Sequence, residues 1–185
     1  MAISLPECGA DFYTAGPLKW LCGGPGLAYL YVREALVEAL EPRITSWFAT
    51  EDQFDFELEK FVFRADARRF ELGTPSLPTI HTSLGGQEII DDVGIEAIVA
   101  WNRVLTDRLV DKARSAGFNV LQPPTENRTA IVMIHHDDPA DAVRHLSDHG
   151  VIVDHRPGFV RVSPHFYNNE EEVDLCVDLL MKHRG

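Results

Sequence analysis

Short apolar runs separated by turn residues open the chain and predict two strands. The first covers Phe12–Ala15 and the second 28–32, and between them lie a lysine, Lys19, and the glycine-rich turn 23–26. A short helix at 34–40 is predicted to follow. The pattern therefore places one lysine in a loop between two apolar strands.

The middle of the chain combines an irregular segment with two helices. Residues 42–72 show no regular period, although four phenylalanines alternate there and are predicted to pack against a core or a partner subunit. They are Phe54, Phe56, Phe61 and Phe63. Apolar residues then recur at helical spacing over 78–93 and again over 95–113, with Gly94 between them. We expect two helices that meet at this glycine.

After Gly117 the pattern changes to short strands alternating with helices. In chain order the predicted elements are a strand at 130–134, a helix at 139–149, strands at 151–153 and 160–163, and a helix at 170–182. Asn168 or Asn169 is the predicted cap of the last helix, whose first turn holds three glutamates. These elements predict an α+β unit on a short antiparallel sheet.

Composition narrows the possible partners of the chain. It has 185 residues, 45% of them hydrophobic, and a net charge of -12. This acidic balance argues against nucleic-acid or anionic-membrane partners, and no apolar run is long enough to span a bilayer. The first residues do not resemble a signal peptide. Cys8, Cys22 and Cys176 are widely spaced, which predicts reduced thiols of a cytoplasmic protein, with neither a disulfide framework nor a metal site.

Lys19 is the residue with the clearest potential chemistry. If its two flanking strands are buried, the neutral amine is favoured and the nitrogen becomes nucleophilic. Such a lysine can form a Schiff base with a carbonyl cofactor such as pyridoxal phosphate. The alternative is a loop lysine whose stem covers apolar surface while its ammonium stays in water. The local pattern leaves both open.

Three stretches in order resemble the class V aminotransferases, a branch of the fold type I pyridoxal-phosphate enzymes that includes cysteine desulfurases, selenocysteine lyases and kynureninases. Residues 10–33 resemble the cofactor-lysine region. Residues 68–75 resemble an Arg-Phe-Glu-x-Gly-Thr element, and residues 160–174 resemble an Arg-x-Ser element followed by Tyr-Asn-x-Glu-Glu-x-Asp. The likeness runs through essentially the whole chain.

The resemblance implies an α/β fold and a division of the chain. Residues 1–93 would be the C-terminal part of the large cofactor-binding domain, 94–117 a connecting helix, and 118–185 the small α+β C-terminal domain. The N-terminal half of the family fold has no counterpart here. The chain is therefore interpreted as a fragment, a truncated product, or one piece of a split enzyme.

The resemblance also implies roles for particular residues. Lys19 would form the Schiff base and move the proton at the substrate α-carbon. Gly73 and Thr74 would reach the cofactor phosphate of the other subunit in a homodimer; the local alternative is a turn with Thr74 as a helix cap. Arg161 would bind the α-carboxylate of an amino-acid substrate, and Arg156 is a second candidate; solvated surface arginines are the alternative.

Departures from the family pattern limit what can be inferred. Pro17 and Leu18 stand where many relatives have side chains that donate hydrogen bonds to the cofactor phosphate. The segment 153–159 lacks the cysteine of desulfurases with a mobile loop, so persulfide transfer is disfavoured, while transamination, epimerisation and lyase chemistry stay open. A non-catalytic remnant or interaction subunit of the same fold is the alternative. The run 135–138, two histidines and two aspartates, is interpreted as a strand end, not a metal site.

Overall fold

The structure is a computed structural model and describes residues 3–56, 59–124 and 128–183. It divides into two compact units, Met1–Gly94 and Ile95–Gly185, and each is described by itself. Within the described residues, no helix combines the length and apolar character needed to cross a bilayer.

The first unit contains a two-stranded sheet and two helices. Strands β1 (Phe12–Ala15) and β2 (Tyr29–Val32) are antiparallel, with Phe12 opposite Val32 and Ala15 opposite Tyr29. Helix α1 is Glu34–Ala39 and helix α2 is Leu77–Val93, with two 3-10 turns at Trp47–Ala49 and Ala67–Phe70 between them. The predicted strands and both predicted helices are confirmed.

The first unit buries few apolar side chains. Among its described residues the buried hydrophobic ones are Val32, Val37, Ala49 and Ile90. Most side chains of β1 and β2 are exposed, so the condition under which these strands would bury Lys19 is not met in this unit. Strands β1 and β2 pair with each other, and among the described residues no further strand pairs with either of them.

The alternating phenylalanines do not enter a core in this unit. Phe54, Phe56 and Phe61 are exposed, at 68%, 76% and 48% of their full surface. Phe61 packs edge-on against Phe63, with ring centroids 4.9 Å apart. The prediction of packing against a core is therefore wrong here, and packing against a partner subunit stays a prediction.

The second unit is a four-stranded antiparallel sheet covered on one face by three helices. Its elements are α3 (Ile95–Ser115), β3 (Val120–Leu121), β4 (Val132–His135), α4 (Pro139–Asp148), β5 (Asp154–Arg156), β6 (Phe159–Val162) and α5 (Glu170–His183). The strand order is β3-β4-β6-β5, and every neighbouring pair is antiparallel. The predicted helices, the strand before α4 and the strand at 160–163 are confirmed within one or two residues.

One continuous core fills the second unit. Leu105 and Leu109 of α3 are fully buried, as are Val132 of β4, Val160 of β6 and Leu180 of α5. The spacing of four on the helix, and the spacing of two that also brings Ile134 and Val162 into the core, directs the buried residues to one side of each element. Helix α5 begins with a capping box, because Asn169 Oδ1 accepts the Glu172 N–H (2.9 Å) and Glu172 Oε2 accepts the Asn169 N–H (3.0 Å).

Two strand predictions need correction. Residues 151–153 do not form a strand; Val151 and Val153 pack against the core without ladder hydrogen bonds. The strand begins one residue later as the polar, exposed β5, which pairs with β6. Strand β3 was not predicted, since two residues are too short to show a period.

Candidate functional site

Lys19 lies in a tight turn that connects β1 to β2. The Gly23 N–H donates to the Pro17 carbonyl (2.8 Å), and the Cys22 N–H donates to the Lys19 carbonyl (3.1 Å). Cys22 adopts a positive φ of 53°, which is uncommon outside glycine and asparagine. Pro17 is fully buried. The lysine is therefore carried by a closed and anchored turn.

Helix α2 holds this turn by close approach of the two backbones. A Cβ placed on Gly86 would lie 2.7 Å from the carbonyl carbon and oxygen of Cys22 and would also strike the carbonyl oxygen of Leu21. A Cβ on Gly23 would lie 2.7 Å from the Cβ of Pro17. Real side chains do not make contacts this short, so glycine is required at positions 86 and 23. We call this close packing of the lysine turn at Gly23 and Gly86 the glycine seat.

A side-chain hydrogen bond fixes β2 to the same helix. The Tyr29 hydroxyl and Ser83 Oγ lie 2.9 Å apart, and Ser83 is buried one turn before Gly86. Sequence reasoning missed both helix residues. The signal was the Gly85–Gly86 pair inside a helical pattern, because a glycine there usually has a packing reason.

The side chain of Lys19 is exposed in this unit, as the alternative of a loop lysine with a solvated ammonium predicts. Among the described residues no carboxylate forms an ion pair with it and no side-chain hydrogen bond holds its amine. The turn fixes the backbone of the lysine and leaves its amine available to a ligand.

Gly73 lies at a bend, and Thr74 follows it in a segment without regular structure just before helix α2. Thr74 is exposed, and the N-cap of α2 is Ser76, so the alternative that Thr74 caps the helix is wrong. Arg69 anchors the preceding 3-10 turn: its guanidinium is buried, donates to the Val37 carbonyl and lies over the Phe63 ring at 5.1 Å from the centroid. Arg69 was not singled out as an anchor from the sequence.

The two predicted carboxylate-binding arginines meet on one face of the β5–β6 pair. Arg156 Nη1 donates to Asp154 Oδ2 at 2.7 Å, and Arg161 Nη1 donates to the same oxygen at 3.1 Å. The backbone N–H of His155 and then the Arg156 guanidinium hold the pKa of Asp154 below its usual value, and Arg161 acts in the same direction. Asp154 was not predicted as a site residue.

The run 135–138 forms a strand end and a helix start. His135 is exposed, whereas His136 is buried and its Nδ1 accepts the Asp138 N–H (3.2 Å). Asp138 caps helix α4 by accepting the Asp141 N–H (3.0 Å). Within residues 3–56, 59–124 and 128–183, no three histidine, cysteine or carboxylate side chains are arranged to hold a metal ion.

The cysteines show different environments. Cys176 is buried in α5, and this burial raises the pKa of its thiol to about 12, so it remains protonated at neutral pH. Cys22 is half-buried in the lysine turn and Cys8 is exposed. Since the thiolate is the nucleophilic form, Cys176 is unsuited to covalent chemistry in the folded unit.

The family model of class V aminotransferases matches residues 1–176 of this chain. The chain belongs to the class V aminotransferase family. Its membership agrees with the resemblance seen in the three sequence stretches.

Curated relatives of this class V chain carry more than one activity name. A protein of Bacillus subtilis (strain 168) named "Uncharacterized aminotransferase YcbU" is 30% identical over 176 residues, which cover 95% of this chain and 46% of the relative. A kynureninase of Geobacillus thermodenitrificans is 30% identical over 188 aligned positions, covering 97% of this chain and 44% of the relative. The chain thus spans about half the length of the curated relatives it matches.

Solved structures establish the fold of the class V chain. The apo cysteine desulfurase from Thermococcus onnurineus NA1 superposes with a TM-score of 0.85 at 23% identity, covering 97% of this chain and 48% of that one. The cystine C-S lyase C-DES gives a TM-score of 0.84 at 18% identity, with the same coverage. The predicted fold class, the C-terminal part of a fold type I pyridoxal-phosphate-dependent transferase, is confirmed as a fold.

Proposed function

We propose that this chain supplies the Schiff-base lysine, Lys19, and the carboxylate-binding arginine, Arg161, of a pyridoxal-phosphate-dependent enzyme that acts on an amino acid. The observation that carries the proposal is the lysine turn: a closed turn packed against a helix glycine, with an exposed amine that has no ion pair among the described residues. A surface lysine with no special role would not require such an exact seat. Family membership supports the same conclusion.

The lysine turn fits a carbonyl cofactor because the Lys19 amine can react with the carbonyl group. The fit does not rest on side-chain contacts from the turn to the cofactor phosphate. Pro17 and Leu18 have no side-chain donor, so phosphate binding would fall to backbone N–H groups and to Gly73 and Thr74 of the other subunit in a homodimer. Thr74 is exposed and uncommitted as a cap, which leaves its hydroxyl available. The bound cofactor would supply the electron sink for cleavage at the α-carbon.

Each residue of this chain would have a defined task. The Lys19 amine, once released, would take the proton from the α-carbon of the substrate and return it later, as a positioned base and acid. Arg161 would fix the α-carboxylate through its planar guanidinium fork, and Arg156 would add a second positive charge to that face. Holding the carboxylate fixes which bond at the α-carbon is presented to the base.

Transamination, epimerisation or lyase chemistry fits this residue set better than persulfide transfer. The segment 153–159 contains no cysteine, and the thiol of Cys176 is buried and protonated. The relatives named aminotransferase and kynureninase support an amino-acid substrate. We further propose a cytoplasmic homodimer in which residues 1–93 belong to the cofactor domain and 118–185 to the small domain, with 94–117 as the connecting helix.

Covalent trapping tests the role of Lys19. The purified chain is titrated with pyridoxal phosphate, reduced with borohydride and mapped by peptide mass spectrometry. We expect one major adduct at Lys19, lost in Lys19→Ala and retained in Lys60→Ala, which removes another exposed lysine. Equal labelling of Lys60 and Lys182 would refute the proposal and favour a non-catalytic remnant of the fold.

A further inference from the structure

Asp154 faces Arg161 directly across the β5–β6 pair. The two residues are register partners, and Arg156 lies on the same face because it is two residues from Asp154 in the same strand. Val160 and Val162, on the opposite face of β6, are buried in the core. The protein therefore places one carboxylate of its own between the two arginines that face away from the core.

This carboxylate does not depend on Arg161 for its hydrogen bonds. Asp154 accepts the His155 N–H at 2.6 Å and Arg156 Nη1 at 2.7 Å, whereas the bond from Arg161 is the longest of the three at 3.1 Å. Arg161 commits one of the five N–H donors of its guanidinium to this bond. A ligand carboxylate could thus engage the rest of the fork while Asp154 stays in place on His155 and Arg156.

The charges on this face leave room for one ligand carboxylate. Two guanidinium groups and one aspartate sum to a single positive charge, which one carboxylate neutralises. A second carboxylate on the same ligand would lie next to Asp154, and two neighbouring negative charges repel each other. Without Asp154 the two arginines would instead match a dicarboxylate.

We propose that Asp154 is a specificity-determining residue that favours amino acids with a single carboxylate over dicarboxylic ones. The inference rests on the proposed function in taking Arg161 as the carboxylate-binding residue. Asp154 acts through its charge on the ligand and through the orientation of Arg161, and it takes no part in bond making.

Carboxylate binding to the cofactor-free chain tests this role directly. Butyrate and glutarate are titrated at constant ionic strength, and the Arg161 Nε–Hε resonance is followed by NMR to give two dissociation constants. In Asp154→Asn we expect the affinity for glutarate to rise about fivefold more than that for butyrate, the effect of about one charge–charge contact near 4 Å in water. Arg161→Gln, which lacks this resonance and is therefore followed through the backbone amides of β5 and β6, should abolish the response to both probes.

Two further variants separate charge from structure. Asp148→Asn removes one exposed negative charge from helix α4 of the same unit and should leave the glutarate-to-butyrate ratio unchanged. Asp154→Glu should retain the wild-type ratio, and it tests the proposal if Asp154→Asn does not fold. An equal change for both probes in Asp154→Asn, a matching change in Asp148→Asn, or no response of Arg161 to either probe would overturn the inference.

The outcome is independent of the trapping experiment, because no cofactor is present. Trapping at Lys19 without carboxylate selectivity would remove the role of Asp154 and leave the proposed function intact. Selectivity without trapping would support the role of Asp154 in carboxylate recognition while the proposed function fails.

Discussion

The two units of the chain differ in the kind of internal packing that stabilises each of them. In the second unit α3, α4 and α5 bury large aliphatic side chains against one sheet face, and Leu105, Leu146 and Leu180 have no exposed surface. In the first unit the buried positions of α2 are Ser83, Gly86 and Ile90, two of which have little or no side chain. Burial of volume stabilises one unit, and close backbone approach shapes the other.

This difference predicts which kind of substitution damages each unit. A core of large side chains is weakened when atoms are removed, because a cavity remains. A seat made by glycine is damaged when atoms are added, because the backbone has to move. The proposed site residues follow the same division, since Lys19 depends on the glycine seat and Arg161 on a strand backed by the aliphatic core.

The largest effect is expected from removing volume in the second unit. Leu105→Ala should lower its free energy of unfolding by about 2–5 kcal/mol, because Leu105 is fully buried. The readout is alkylation of Cys176 during urea unfolding, since this buried thiol reacts when the unit opens. Val104→Ala, at a neighbouring exposed position, is the matched control and should change stability by less than about 1 kcal/mol. Similar losses for both variants would show that the core is not where the stability lies.

The next effect comes from adding one methyl group to the first unit. Gly86→Ala should destabilise the lysine turn by about 1–3 kcal/mol, because the new Cβ would clash with Cys22 and Leu21. The measurements are the alkylation rate of Cys22 and the yield of trapped cofactor at Lys19; the first should rise and the second fall.

Gly85→Ala is the matched control for that change. A Cβ on Gly85 meets nothing within 4 Å, so the substitution should stabilise the helix by about 0.5–1 kcal/mol through its better helix propensity. If Gly86→Ala behaves like Gly85→Ala, the turn is not seated on the helix as described.

The smallest effect concerns the charges that link α3 to α5 in the second unit. Arg108 donates to both oxygens of Asp174, at 2.8 and 2.7 Å, and Lys112 forms an ion pair with Asp178 at 2.8 Å. The hydrogen bond from Arg108, aided by Lys112, lowers the pKa of Asp174 from its ordinary value of 3.8. The stabilising contribution of the ionised Asp174 carboxylate is therefore complete when the pH is above that ordinary value, and it is lost as the pH falls through the lowered pKa.

Asp174→Asn should therefore cost about 0.2–1 kcal/mol at pH 7, the range of partly exposed ion pairs. The loss should shrink in urea titrations repeated at progressively lower pH, because the wild type then loses the same charge. Glu171→Gln, at an exposed position on the same helix, is the control and should have no such pH dependence. An Asp174→Asn effect of the same size at every pH would contradict the assigned cause.

The sequence was sufficient to predict the elements that have a long periodic run of apolar residues or a recognisable capping residue at one end. The spacing of Leu105 and Leu109 predicted α3, and Asn168 or Asn169 followed by three glutamates marked the start of α5. It failed at 151–153, where apolar residues pack on the core as an extended segment without a strand partner. The paired strand is polar, and its better signal was the turn Pro157–Gly158, whose proline and positive-φ glycine favour a hairpin.

The candidate site was only partly accessible to sequence reasoning. Lys19 was selected from its position in a glycine-rich turn, whereas Arg156 and Arg161 were selected from the resemblance to the class V family. Gly86 and Asp154 were missed because each acts through a pairing that only the fold creates. A helix glycine has no chemistry of its own, and an aspartate seven residues before an arginine becomes its neighbour only through the strand register.

The hairpin turn at Pro157–Gly158 has a consequence for how the proposed carboxylate site of this chain could be altered. Its two residues place Arg156 opposite Phe159 and thereby Asp154 opposite Arg161. Strand side chains alternate between faces, and β6 is also held in register by β4. A one-residue shift of the edge strand β5 would therefore turn Asp154 and Arg156 away from the face of Arg161. Insertion of a single residue here would thus disrupt the proposed carboxylate-binding face, whereas substitutions at position 154 preserve the register. If Arg161 has the proposed role, a change of carboxylate preference in this chain is expected from exchange of side chains on a hairpin of constant length.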